Sequence, residues 1–224
     1  EEAILERLAD QIAPAVENTR LYESLQASTR EKAVLEEISR IITSTVNIDQ
    51  VYEKFAGEVR KLVDFDRIAI SAIDGEAGTF SPKYIGGIHF SGSELHAVFP
   101  LEGTLVERIL RKGTPVSRED ISPEDGVPGD PARIRAGLRS DLMVPLYHKG
   151  QITGTLHVYS SRVRAYGSKE QAILERLANQ IALAVENARL DELLRASTGQ
   201  QAVVHEIARI ITSTMEIDQV YERF

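Results

Sequence analysis

Apolar residues open the chain at helical spacing. Ile4, Leu8, Ile12, Ala15 and Val16 fall three or four positions apart and predict a helix over residues 1–28. Pro14 sits inside it. An interior proline removes one backbone hydrogen bond and clashes with the carbonyl four residues back, at ~3 kcal/mol unless the helix bends, so a kink is expected between Asp10 and Pro14. Leu21, Ser28, Leu35 and Ile42 then recur every seven residues, with no glycine or proline between 15 and 45. That pattern predicts one unbroken helix. The competing reading is a new start at Ser28-Thr29-Arg30-Glu31, which fits a capping box.

Asn47-Ile48-Asp49-Gln50 offers an N-cap for a helix through Val51, Phe55, Val59 and Leu62 to about Val63. Arg67–Ile73 and Phe80–Ile85 read as a strand pair turned by Asp74-Gly75 and Ala77-Gly78, with Gly86-Gly87 ending the second. Thr104-Leu105-Val106-Glu107 caps a short helix that stops at Gly113, and Thr114–Ser117 is a third strand. Residues 118–131, with three prolines and two glycines, form a loop stiff in pieces and hinged between them. Asp130-Pro131 is read as an N-cap followed by proline at the first helical position, for a short helix ending at Gly137. Leu142–His148 and Ile152–Ser160 are strands joined by a tight Lys149-Gly150 turn. A last helix begins near Ser168, where Ser168-Lys169-Glu170-Gln171 again fits a cap. Its apolar positions, among them Ile173, Leu177, Ile181 and Ala188, spread over roughly 140°, wider than the ~100° stripe that one sheet requires. The surplus predicts a second contact, with a partner helix.

The ends of the chain are copies of one another. Residues 3–55 recur as residues 172–224 at a constant offset of 169, with 38 of 53 positions identical. Such self-similarity marks a tandem array. The expected division is a connector helix of a preceding repeat over 1–32, one whole domain over 33–196, and the first helices of a following repeat over 197–224.

Composition narrows the chemistry. A net charge of −8, with no block of five or more Lys/Arg, argues against nucleic acid or an anionic membrane surface as partner. The absence of cysteine excludes disulfides, thiolate metal sites and a cysteine nucleophile, and is compatible with a cytoplasmic setting. No run approaches the ~18 apolar residues of a membrane span, and no signal peptide is visible. There is no G-x-S-x-G, Walker A or Rossmann glycine pattern, so the chain is read as non-catalytic. His205-Glu206 superficially matches a kinase phosphoacceptor start, but the equivalent position in the first copy is Glu36, and connector helix is the better reading.

The order of elements, with Asp66-Arg67-Ile68-Ala69-Ile70, Gly137–Leu146, Gly154-Thr155-Leu156-His157-Val158 and Leu177–Ala182, resembles the GAF domain family over about residues 33–190. The resemblance implies an α+β fold: a five- to six-stranded antiparallel sheet with helices on both faces and long N- and C-terminal signalling helices. It also implies a small-molecule pocket on one face and a parallel homodimer through the terminal helices, a coiled coil with Leu21, Leu35, Ile42, Leu177 and Ile181 near the seam. Tandem modules of this kind resemble those of bacterial sensor histidine kinases in two-component systems. Members that attach a bilin, or that reduce methionine sulfoxide, rely on cysteine and are excluded here. The cyclic-nucleotide signature is absent, and His89, His96, His148 and His157 show no metal-ligand spacing. No cofactor is expected; the pocket that the resemblance implies leaves room for an unknown small-molecule ligand.

Arg133, Arg135 and Arg139 lie where the resemblance puts the mouth of the pocket, joined as candidates by His96, His157 and Tyr159. Guanidinium groups suit carboxylate or phosphate. The opposing reading is pairing with the acidic loop residues Glu119, Asp120, Glu124, Asp125 and Asp130. The function expected is a sensing and relay module whose pocket biases its closing helix; the alternative is a ligand-free spacer that merely dimerises the array.

Overall fold

The computed structural model describes residues 2–44, 47–188 and 190. The chain divides into two compact units, Glu1–Ala184 and Val185–Phe224. All that follows concerns the first; in the second, residues 185–188 are helical, and the expected heads of a following repeat at 197–224 lie outside the described residues.

Helix α1 runs Glu2–Ser44 without interruption, through Pro14 and through Ser28–Glu31. No new helix starts at Ser28: the helix is continuous there, and the Thr29 hydroxyl donates to the Leu25 carbonyl at 2.8 Å, one turn back, as a hydroxyl inside a helix does. Helix α2, Ile48–Arg60, starts where Asn47 accepts the Asp49 amide at 2.9 Å. It buries Val51, Tyr52, Phe55, Ala56 and Val59, one stripe of its surface.

Six antiparallel strands make one sheet in the order β3-β2-β1-β6-β5-β4. They are β1 (Arg67–Asp74), β2 (Thr79–Gly87), β3 (Phe99–Pro100), β4 (Val116–Arg118), β5 (Ser140–His148) and β6 (Gln151–Ser160). Helix α3 (Leu105–Lys112) and the six-residue α4 (Asp130–Arg135) precede β4 and β5, and α5 spans residues 168–188. The strand β3 and a 3-10 turn at Pro123–Asp125 were not expected from the sequence; two and three residues are too few to show a period. Thr104 caps α3 as expected, accepting the Glu107 amide at 3.2 Å, while the Glu107 carboxylate reaches back to the Gly103 amide at 2.8 Å.

The two faces of the central strands differ in kind. Ile68 and Ile70 on β1, Leu142 and Val144 on β5, and Leu156 and Val158 on β6 form one wholly buried apolar face. Arg67, Ala69 and Ser71 on β1, with Thr155, His157 and Tyr159 on β6, form the other. In the first unit, α5 lies along α1, with Ser39 donating to Gln180 at 3.1 Å and Arg176 paired with Glu31. Leu177 and Ile181, expected at a seam between chains, are fully buried within this one. The surplus apolar arc of α5 is absorbed by the chain's own core, so these two are core residues. Leu35 and Ile42 are half-buried. On α1 and α5 the exposed large apolar residues include Ile12, Val16, Leu21, Tyr22, Leu25 and Leu183.

β1 lies close against β6 at Gly154, where a Cβ would collide with the Ser71 backbone carbonyl. Gly154→Ala is therefore expected to destabilise the domain by about 1–3 kcal/mol, the cost of overpacking against a backbone that has little room to shift. Urea denaturation of the variant checks this; an unchanged midpoint would mean that the strands separate without cost.

Candidate functional site

A cavity of about 270 Å³ opens on the mixed face of the sheet. Strand alternation supplies its floor: Arg67, Ala69 and Ser71 from β1, Met143 from β5, and Thr155, His157 and Tyr159 from β6. Phe80 and Ile85 from β2, Phe99 from β3, and Leu105 and Val106 from α3 make an apolar end, continuous with the core cluster of Ile73, Ile109, Val127 and Met143. Phe90 and Ser93, together with Pro128, Gly129 and Arg133, close the polar end. The cavity thus runs from aliphatic and aromatic side chains to guanidinium groups.

Behind that polar end lies a buried ionic cluster. Arg118 on β4 donates through Nη1 to Asp130 Oδ2 at 2.6 Å and through Nε to Asp141 Oδ1 at 3.0 Å, with a longer contact to Asp125 at 3.4 Å. Both Asp130 and Asp141 are completely shielded from solvent. Asp130 also accepts from Arg133 Nη1 at 2.6 Å. Asp130 was expected to cap α4; the structure makes it the helix's first residue, behind Gly129, with no side-chain cap. Its carboxylate is committed to the two arginines, and the cluster ties the loop after β4 to the sheet. Burial favours neutral Asp141, but the Arg118 guanidinium bonded to it outweighs burial and holds its pKa well below the usual carboxylate range.

His157 Nε2 comes within 3.2 Å of Asp141 Oδ2, yet makes no hydrogen bond of acceptable direction. The contact is a close polar approach, and burial wins: the imidazole is pulled down to about 4 and is neutral at physiological pH. It stacks on Tyr159 with ring centres 3.8 Å apart. Burial likewise raises the Tyr159 phenol, which stays protonated.

The structure brings three of the candidates together at the cavity, Arg133, His157 and Tyr159, and leaves three outside. Arg139 forks onto Asp120 at 2.9–3.0 Å on the surface, Arg135 is exposed, and His96 is exposed with a left-handed backbone, φ 63°. Arg67 is the residue that sequence reasoning missed. It was read as the entry to a strand, yet it is only 2% exposed and lines the cavity. Its signal was alternation: Arg67 and Ser71 break an otherwise apolar strand on one face only, as Thr155, His157 and Tyr159 do on β6.

Fold and cavity together define a class: an α+β domain whose antiparallel sheet carries a ligand-sized pocket on one face. Comparison with known proteins names it. A GAF domain family model matches residues 45–186, and the chain belongs to that family. The GAF domain of an Acinetobacter phosphoenolpyruvate-protein phosphotransferase superposes with a TM-score of 0.60 at 18% identity, over 72% of this chain and 96% of that one. That of a Bacillus halodurans two-component sensor histidine kinase gives 0.58 at 21%, over 66% and 99%. A free methionine-R-sulfoxide reductase from Neisseria meningitidis gives 0.58 at 17%, over 74% and 93%. At these identities the likeness is one of fold. A Synechocystis chain described as a methyl-accepting chemotaxis protein is 21% identical over 98% of this chain. The present chain spans 22% of that relative's length. Family membership points to a sensory or signalling module. Among the described residues, no helix is long and apolar enough to cross a membrane.

Proposed function

We propose that the chain is a non-catalytic sensing and relay module, one repeat of a tandem array in a multidomain signalling protein such as a sensor histidine kinase or chemotaxis receptor. In this reading residues 33–196 bind a small molecule. The terminal helices pair in parallel with those of a second copy and pass the resulting change to neighbouring modules, in a cytoplasmic setting. The cavity carries the proposal: a ligand-free spacer has no need of a buried space with polar side chains converging at one end. Relay has separate support. Apolar residues of α1 left exposed, among them Leu21, Tyr22 and Leu25 on one side of the helix, are open to a partner, and α1 is bonded to α5 at Ser39–Gln180.

The absence of cysteine makes the test simple, since Leu25→Cys gives a unique labelling site. Spin labels there should report a single interchain distance in a parallel dimer at micromolar concentration. That distance should shift when a metabolite extract is added that also raises the melting temperature. A strictly monomeric protein, or a distance indifferent to a bound molecule, would remove the relay reading.

A further inference from the structure

We propose that the cavity's ligand is a small organic monocarboxylate with an apolar body, its carboxylate held by the guanidinium groups of Arg67 and Arg133. The inference rests on the sensing role above and specifies its ligand. Arg67 is the decisive residue. Its Nη1 donates to the Ile88 carbonyl and its Nη2 to Ser93 Oγ, which fixes the guanidinium plane. The Nε is buried without a hydrogen-bond partner, and no carboxylate pairs with Arg67 among the described residues. A buried cation hydrogen-bonded only to neutral oxygens is costly and calls for a counter-ion. The cavity is where one can enter.

Arg133 repeats the feature. Its Nη1 is taken by Pro128 and Asp130, while its Nε is again buried and unpartnered. The two guanidinium carbons stand 4.3 and 5.7 Å from the centre of the same Phe90 ring, so both groups lie at one end of the cavity. The unpaired cation selects the valence of the anion. Arg118 and Arg133 pair with Asp130, Asp141 and the half-buried Asp125, and Arg67 has no carboxylate partner among the described residues. A monoanion matches that single guanidinium, whereas a phosphate dianion exceeds it. Beyond the arginines the walls turn to Phe80, Phe99 and Leu105, which suit a branched or aromatic body. A cavity of about 270 Å³ limits the ligand to a compact molecule.

The test uses the full chain and two matched panels: monocarboxylates from acetate through isovalerate to phenylpropionate, and their primary amides. Calorimetry should show at least one larger acid binding roughly tenfold to a hundredfold tighter than its amide, the span of a charge-assisted hydrogen-bond pair. Acetate should bind weakest, because it leaves the apolar end empty. Arg67→Gln should reduce the acid's affinity to that of its amide; if that variant does not fold, the acid-to-amide ratio in the wild-type chain decides alone. Amides that bind as well as acids, or a panel in which no acid binds, overturn the carboxylate assignment. Where an uncharged molecule is then retained in native mass spectrometry, the sensing role stands without it; where nothing is retained, both fall.

Discussion

Replacing Arg118 with methionine should cost the domain about 3–5 kcal/mol at neutral pH, enough to consume a large part of an ordinary domain's stability. The loss does not measure what the ion pairs contribute. It arises because Asp141 and Asp130, both shielded from water, would face the missing charge with no solvent to replace it. The pH dependence gives the cause away. In the wild type the Asp141 pKa is depressed from 3.8 to about 2, so its contribution is complete above the unfolded value and is lost as pH falls through about 2. Without Arg118, burial acts on that carboxyl with less to oppose it and raises its pKa. The variant then recovers relative to wild type as pH falls from 7 towards 4, because the buried carboxyl takes up a proton. Urea denaturation at several pH values should show the gap narrowing on acidification, and Asp141→Asn added to Arg118→Met should recover part of the loss at pH 7. A gap that stays constant with pH would mean that the damage lies in packing alone.

That cluster also shows why the site was only half legible in the sequence. The strands were visible because a two-residue period and turn residues such as Lys149-Gly150 are local signals, and the observed Arg67–Asp74 and Gln151–Ser160 differ from expectation by a residue at one end. The long helix was visible because no breaker follows Pro14. Which arginine faces inward is not a local matter. Arg133, Arg135 and Arg139 look alike in the chain, but only Arg133 stands on the turn of α4 beside buried Asp130, while Arg139 meets Asp120 across the surface. Asp130-Pro131 imitates a helix cap so well that its carboxylate's partners, 12 residues away at Arg118 and three away at Arg133, could be found only in three dimensions. The same limit applied to Leu177 and Ile181. Their apolar arc said that they would be covered, and could not say whether the cover belonged to this chain or to another.

Acid should destabilise the wild-type domain well before its carboxylates titrate, and His157 is the reason. Its imidazole is 3% exposed, and burial pulls its pKa down from 6.5 to about 4. Between those values the unfolded chain takes up a proton that the folded chain refuses, so stability rises with pH there and falls on acidification. The loss begins near pH 6.5 and is complete near 4; a depression of that size corresponds to about 3 kcal/mol. Below it, Asp141 continues the decline as its own folded pKa of about 2 is approached. His157→Gln keeps a polar side chain beside Asp141 and removes the titration. Its stability should therefore be nearly level from pH 6.5 to 4 relative to wild type, with the steeper acid limb retained. Subtracting the two curves cancels whatever the two proteins share. Urea midpoints collected from pH 8 to 4 on each provide the measurement. Parallel curves would show that His157 takes up its proton in the folded state as readily as in the unfolded one, contrary to its burial.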